Sequence, residues 1–290
     1  MSPRVLVGLI GSGIQRSLTP AMHEREGAAQ NILYLYRLID LDMLGSSADA
    51  LPELLLAAER MGFNGLNITY PCKQSVLPHL TRLSDDARAL GAVNTIVLRD
   101  GERLGHNTDW WGFAEAFKQE MPSAELDRVV LLGAGGAGSA VAHALLTLGV
   151  KELAIVDVEH HKAAELADSL CSRFGSSRAT SSVVKDVISD ADGVVNATPV
   201  GMAKLPGTPI ERTLLRPAQW VADIIYFPLE TELLRHARAL GCRTMGGGGM
   251  AVFQAVKAFE LIVGRPADAR RMQRHFSELC SAAASPINAP

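Results

Sequence analysis

The sequence contains no paired cysteines. Its four, Cys72, Cys171, Cys242 and Cys280, are scattered and none forms a Cys-x-x-Cys. That argues against a disulfide framework or a structural zinc and makes a reducing cytoplasm the expected setting. No His-Glu-x-x-His and no carboxylate pair at metal spacing occurs, so no metal is expected. Positive charge is not in excess either: 28 Lys and Arg against 31 Asp and Glu give a net charge of −3. A nucleic-acid partner, which needs a basic footprint, is therefore not expected. The N-terminal "MSPRVLVGLIGSG" holds an apolar run of only about six residues, too short for the core of a secretory signal, and reads as a first strand. One uncharged stretch, Val129 to Val150, has the length of a bilayer span, which takes about 20 residues. Its glycines, however, cluster where a strand should turn into a helix, and His143 lies in its second half, so no membrane partner is expected.

What is present is an ordinary globular mix over 290 residues, 48% hydrophobic and 20% charged, enough for two domains. The first hundred residues alternate strand-like and helix-like runs. "RVLVGLIG", "LYLYRLID" and "GLNITY" read as strands. "TPAMHEREGAAQN" and "SADALPELLLAAERM" read as helices, the first with Thr19 as N-cap and Pro20 at the first helical position. "AVNTIVLRDGERLGHN" reads as a hairpin turning at Asp100-Gly101. Helices between strands imply a mainly parallel sheet. A helix from about Asp109 leads to a second series, with strands "RVVLLGAGG", "ELAIVD", "ADGVVNATP" and "QWVADIIY" and helices "GSAVAHALLTLG" and "EHHKAAELADSLCSRFG". A glycine run at 246–249, read as allowing close ligand approach and hinge motion or else as a plain linker, precedes a last apolar helix, and the tail "SAAASPINAP" reads as loose. The expected fold class is therefore α/β in two domains with a cleft between them. A mainly parallel substrate-binding domain takes residues 1–108 plus 246–290, and a Rossmann domain takes 109–245.

Gly133-Ala134-Gly135-Gly136-Ala137-Gly138 is a Gly-x-Gly-x-x-Gly that follows a strand, opens a helix, and meets Asp157 at the end of the next strand. In that context the first glycine makes the turn, the second lets the backbone approach a pyrophosphate, and the third allows close packing. Asp157 at that strand end accepts hydrogen bonds from a ribose 2′-hydroxyl and repels a 2′-phosphate. The residues after it are "VEHHK", with Lys162 the one firm cation and no arginine. NAD is expected ahead of NADP. The plainer reading of Asp157 is a helix N-cap.

Four further stretches place small polar residues at strand or loop ends: "SGIQRSLTPAMH", "LNITYPCKQ", "GAVNTIV" and "GHNTDW". Ser17 and Thr19 precede a helix start, a setting that suits a carboxylate. Asn67 and Thr69 are two apart, so on a strand they share a face. Asn94 and Asp109 are expected at later ends of the same sheet, where sites form in α/β folds. Singly, each has a structural reading: a cap, a turn former, a helix-terminal charge. Together they outline a polar pocket. Pro71 ends the strand, so Lys73 can leave the ladder and face the cleft. Cys72 has no histidine beside it and reads as packing.

On these segments the chain resembles the shikimate dehydrogenase family, nearly end to end. The family pattern Asn-x-Thr-x-Pro-x-Lys stands as "NITYPCK", and "GAVNT", "NTD", "GAGGA", "NATPVGM" and "YFPLET" follow in family order. The resemblance implies a reversible hydride transfer between the C3 hydroxyl of shikimate or quinate and NAD, with Lys73 and Asp109 as a coupled acid–base pair. It implies that Ser17 and Thr19 hold the substrate carboxylate, and that Asn67, Thr69, Asn94, Gln254 and Tyr226 face the ring. The glycine loop, Asp157, Lys162, Thr198, Pro199, Val200, Met202 and Gly249 are the implied cofactor residues. Thr19 in place of a second serine, together with the acidic strand end at Asp157, is most like the NAD-dependent quinate/shikimate dehydrogenases. The alternatives are an NADP-dependent biosynthetic type, a related two-domain enzyme such as a methylenetetrahydrofolate dehydrogenase, and a non-catalytic quinate- or NAD-binding regulator. A small-molecule substrate and a monomer or homodimer are expected.

Overall fold

The computed structural model describes residues 3–284, so the end of the tail expected to be loose, from residue 285, lies outside it. The chain divides into two compact units, one running to Thr108 and resuming at Val252, the other spanning Asp109–Ala251.

The first unit runs β1 (Arg4–Gly11), α1 (Thr19–Ala29), β2 (Leu33–Asp40), α2 (Leu51–Arg60), β3 (Gly65–Ile68), α3 (Cys72–Ser75), β4 (Arg82–Leu83), α4 (Asp85–Leu90), β5 (Thr95–Arg99) and β6 (Glu102–His106). Its sheet has the order β2-β1-β3-β5-β6-β4. The first three strands are parallel, and β5 pairs antiparallel with both β3 and β6. The hairpin turns at Asp100 and Gly101, with φ of 54° and 77°, the two positive values that the tight turn between right-twisted strands requires. Side chains alternate across the sheet. Val5, Val7 and Leu9 of β1 pack with Tyr34, Tyr36, Phe259 and Ile262 on one side, while Ile10 joins Leu51, Leu55, Leu66, Ile68 and Ile96 on the other.

Two local expectations change. Helix α1 begins at Thr19 itself: Leu18 is the N-cap and its carbonyl accepts the first helical bond, from Met22. Thr19 is thus not the cap, and Pro20 sits one position inside the helix. Strand β3 stops at Ile68, so Thr69 lies just past it, although the Thr69 N–H still donates to Ile10 O at 2.9 Å and continues the ladder toward β1.

The second unit contains α5 (Asp109–Glu120), β7 (Arg128–Leu132), α6 (Gly136–Thr147), β8 (Glu152–Val156), α7 (His160–Phe174), β9 (Ala179–Ser181), α8 (Val184–Val187), β10 (Gly193–Asn196), β11 (Trp220–Asp223), α9 (Glu232–Ala239) and β12 (Arg243–Met245). Helix α10 (Gly247–Val263) leads out of it and α11 (Ala269–Ala284) follows. The six strands lie in the order β12-β11-β10-β7-β8-β9, all parallel. That is the doubly wound order, with the chain reversing direction across the sheet at β7. The uncharged stretch from Val129 divides into β7, the glycine turn and α6. Among the described residues no helix is long and apolar enough to cross a membrane. The glycine run is not a linker: Gly247 to Gly249 form the first turn of α10.

Candidate active site

In the first unit, three loops at one end of the sheet carry the polar residues. The loop from β1 to α1 holds Ser17, whose Oγ accepts the N–H of Thr19, the first residue of α1, at 3.3 Å. This loop is pinned by Asp40, the last residue of β2, only 3% exposed. Its carboxylate accepts from the Gly13 and Ile14 N–H groups and the Asp42 N–H, each at 3.1 Å, and from Gln15 Nε2 at 2.9 Å. Burial alone would raise the Asp40 pKa, but the bonds from Gln15, Asp42, Gly13 and Ile14 outweigh it and hold the carboxyl below the ordinary aspartate range. A lowered folded value means that this stability is present above the unfolded pKa of about 3.9 and is lost as pH falls through the folded one. Asp40→Asn, which turns an amide N–H toward backbone donors, is expected to cost about 2–3 kcal/mol near neutral pH. In urea unfolding the gap to the parent protein should shrink below about pH 4; a gap that stayed constant to about pH 3 would contradict this account of Asp40.

Asn67, on β3 and 5% exposed, accepts the Tyr36 hydroxyl at 2.7 Å on Oδ1. Its Nδ2 donates to Thr95 Oγ1 at 3.0 Å and to Asn94 O at 3.3 Å. Asn94, buried before β5, accepts the Thr108 N–H on Oδ1 at 2.7 Å, and Asp109 is the next residue in the chain. The Thr69 methyl stands where Gly11 has no Cβ; a Cβ there would approach it to 2.3 Å. Lys73 lies half-buried in the single turn α3 rather than on a strand end, and its carbonyl accepts the Val93 N–H at 2.9 Å, which ties this turn to the residue before Asn94. Cys72 beside it is fully buried and burial pushes its thiol pKa up, which fits packing rather than nucleophilic chemistry. Gln254 is half-buried on α10.

In the second unit, Gly133 has φ of 99°, and a Cβ on it would meet the Ala197 carbonyl at 3.0 Å and the Thr198 methyl at 3.1 Å. The glycine turn and the loop after β10 are thus adjacent. A Cβ on Gly138 would lie 2.0 Å from Gly133 O, so the third glycine lets α6 pack on the turn. Gly135 differs: nothing lies within 4 Å of a Cβ built there. The protein's own packing does not require glycine at 135, whereas a pyrophosphate approaching the start of α6 does. Helix α6 has no side-chain cap at that end. The residues present therefore fit a dinucleotide. Asp157 accepts the Ala134 N–H at 2.7 Å and the Glu159 N–H at 2.9 Å, tying the strand end to the glycine turn. Lys162 is exposed and paired with Glu159 on the first turn of α7.

The loop Thr198–Met202 is organised by Asn196. Its Oδ1 accepts the Thr198 N–H and hydroxyl, and its Nδ2 donates to Val200 O and to Asp223 Oδ1. Asp223 is fully buried and also accepts from Thr231 Oγ1 at 2.7 Å and from the Ile225 N–H at 3.1 Å. Tyr226, three residues on, is largely exposed. Gly249 packs toward α5, where a Cβ would meet Ala116 Cβ at 3.0 Å, which supplies a structural reason for glycine there. Among the described residues no group of three His, Cys, Asp or Glu side chains could hold a metal ion.

The model of the shikimate dehydrogenase substrate-binding domain matches residues 9–96, and that of shikimate/quinate 5-dehydrogenase matches residues 115–221. A shikimate dehydrogenase (NADP(+)) of Streptomyces avermitilis is 56% identical over 282 residues, 96% of this chain and 97% of that one. The chain belongs to the shikimate dehydrogenase family. It is an oxidoreductase acting on a CH–OH group. Another member of the family, a quinate/shikimate dehydrogenase (NAD(+)) of Corynebacterium glutamicum, is 48% identical over 283 residues, 96% of this chain and 100% of that one. The solved quinate dehydrogenase from Corynebacterium glutamicum in complex with NAD has a TM-score of 0.90 and 48% identity, covering 96% of this chain and 100% of that chain. A two-domain α/β fold, a nicotinamide dinucleotide and a small-molecule substrate fit this shikimate dehydrogenase family member.

Sequence reasoning missed three residues that hold the loops of this shikimate dehydrogenase family member: Asp40, Asn196 and Asp223. A signal was available for each of them. Asp40 and Asp223 end apolar strands just as Asp157 follows one, and each accepts the backbone N–H of the residue two positions beyond it. Asn196 ends β10 in the same way and accepts the Thr198 N–H; only its bond to Asp223, 27 residues away, had no local cue.

Proposed function

We propose that this protein catalyses the NAD-dependent, reversible oxidation of the C3 hydroxyl of quinate or shikimate. Ser17 and Thr19 bind the ring carboxylate, while Asn67, Thr69, Asn94, Gln254 and Tyr226 orient the ring. Lys73 and Asp109 act as one acid–base pair that takes the proton from the hydroxyl under oxidation and returns it in reverse. When bound, the nicotinamide supplies the hydride-accepting carbon. The glycine turn, with Asp157, Lys162, Thr198, Pro199, Val200, Met202 and Gly249, binds and orients the dinucleotide. The protein works in the cytoplasm, as a monomer or homodimer.

The observation that carries NAD over NADP is the environment of Asp157. Its carboxylate is held at the glycine turn by two backbone N–H groups. Val158 after it is 96% exposed, where an enzyme accommodating a 2′-phosphate places an arginine, and the nearby Lys162 is paired with Glu159. Overall identity favours the second reading, since the 56% identical relative is named for NADP(+). One strand end outweighs it because the 2′ position meets only a few residues. A kcat/KM matrix of quinate and shikimate against NAD+ and NADP+ tests both. NAD+ is expected to win by at least about tenfold with either acid, and NADP+ winning by that margin would overturn the assignment. Dinucleotide and quinate binding without NADH formation would leave a regulator instead of an enzyme.

A further inference from the structure

We propose that Tyr36 is a positioning residue which, with the Asn94 carbonyl and Thr95, leaves Asn67 a single acceptor lone pair to offer the ring substrate. This rests on the reading of Asn67 as substrate-binding. A side-chain amide has four hydrogen-bonding capacities, two N–H groups and two oxygen lone pairs. Both N–H groups of Asn67 are committed, to Thr95 Oγ1 and Asn94 O, and the Tyr36 hydroxyl occupies one lone pair on Oδ1.

The polarity of this arrangement is forced by backbone groups. The Asn94 carbonyl can only accept, so the Asn67 atom facing it is Nδ2 and the atom facing Tyr36 is the oxygen. The Thr108 N–H can only donate, so the Asn94 atom facing it is Oδ1. Thr95 Oγ1 therefore donates to Asn94 Oδ1 at 3.1 Å and accepts from Asn67. At the other end of the row Tyr36 is buried, and burial first, with Tyr34 nearby second, pushes its phenol well above the ordinary value, so it remains an O–H donor at working pH. It is held in place as well: its N–H donates to Glu24 Oε1 at 3.0 Å, and the His23 ring meets its ring edge-on at 5.2 Å.

A substrate reaching Asn67 must accordingly bring an O–H donor. A ring hydroxyl satisfies this; a keto, ether or fluoro group at the same position does not, and would leave the lone pair buried and unmet. The test is a double-mutant cycle of Tyr36→Phe and Asn67→Ala, read as kcat and KM for quinate and shikimate at saturating NAD+. Tyr36→Phe is expected to raise the KM of the ring acid about tenfold, with kcat and dinucleotide Kd changing less than about twofold, and to add less than about twofold when Asn67 is already alanine. An equal effect of Tyr36→Phe in both backgrounds, or none in either, overturns the positioning role. An inert Asn67→Ala has a different meaning: it removes Asn67 from the substrate, and this inference with it.

Discussion

Lys73→Ala is expected to lower kcat about a thousandfold, the middle of the range that a positioned acid–base group contributes. The dinucleotide Kd is expected to stay within about twofold, because Lys73 belongs to the first unit and the glycine turn to the second. The substitution should not disturb the fold. Alanine is the best helix former for the turn α3, and the bond from the Val93 N–H goes to the Lys73 carbonyl, which alanine keeps. Lys73→Arg separates two roles of the side chain. Arginine retains the positive charge but stays protonated at any working pH, so it preserves an electrostatic contribution and abolishes proton transfer. Activity as low in Lys73→Arg as in Lys73→Ala supports proton transfer. Steady-state kinetics with quinate and shikimate decide it: a kcat within a few-fold of the parent for Lys73→Ala removes Lys73 from the chemistry.

The second large effect separates two glycines three residues apart. Gly135→Val is expected to weaken dinucleotide binding at least about a hundredfold, since a branched side chain would stand where a pyrophosphate meets the free N–H groups of α6. Stability should fall by only about 1 kcal/mol, the cost of a poorer N-cap, because nothing in the protein lies within 4 Å of the new Cβ. Gly138→Ala should do the reverse in kind. Its methyl would lie 2.0 Å from the Gly133 carbonyl, a backbone atom that cannot swing aside. Helix and turn must separate, and about 3 kcal/mol of stability is expected to be lost, with binding lost as a consequence. Thermal unfolding beside a dinucleotide titration distinguishes the two. Unchanged affinity in Gly135→Val would mean that the open space at 135 is not where a dinucleotide lies.

Much of the site was legible because its signals are local. The glycine turn, Asp157, the hairpin at Asp100-Gly101 and the Lys73 segment each occupy a few consecutive residues, and each follows from backbone chemistry that a short stretch can show. The misreadings share a cause as well. A hydroxyl before Pro20 has the pattern of a cap, but the Ile14–Ser17 turn places Leu18 there instead of Thr19. The run at 246–249 suggested flexibility, since glycine is a poor helix former. Close packing against α5 and the chain leaving β12 overrode that propensity. Strands β9 and β12, three residues each at the sheet edges, are too short to show a period.

By itself the sequence determined two α/β series, a glycine turn of dinucleotide-binding pattern and a set of small polar residues at strand and loop ends, because hydrophobic period and turn chemistry act between near neighbours. Only the tertiary structure decided what those polar residues can do. The row from Tyr36 through Asn67 and Thr95 to Asn94 has single hydrogen bonds between residues 31 and 28 apart in the chain, and Asp40 reaches 26 residues back to Ile14. Which atom of an amide donates and which accepts is fixed by whatever the fold brings opposite it. No stretch of sequence carries that information, because the backbone carbonyl or N–H that sets the polarity belongs to a separate part of the chain.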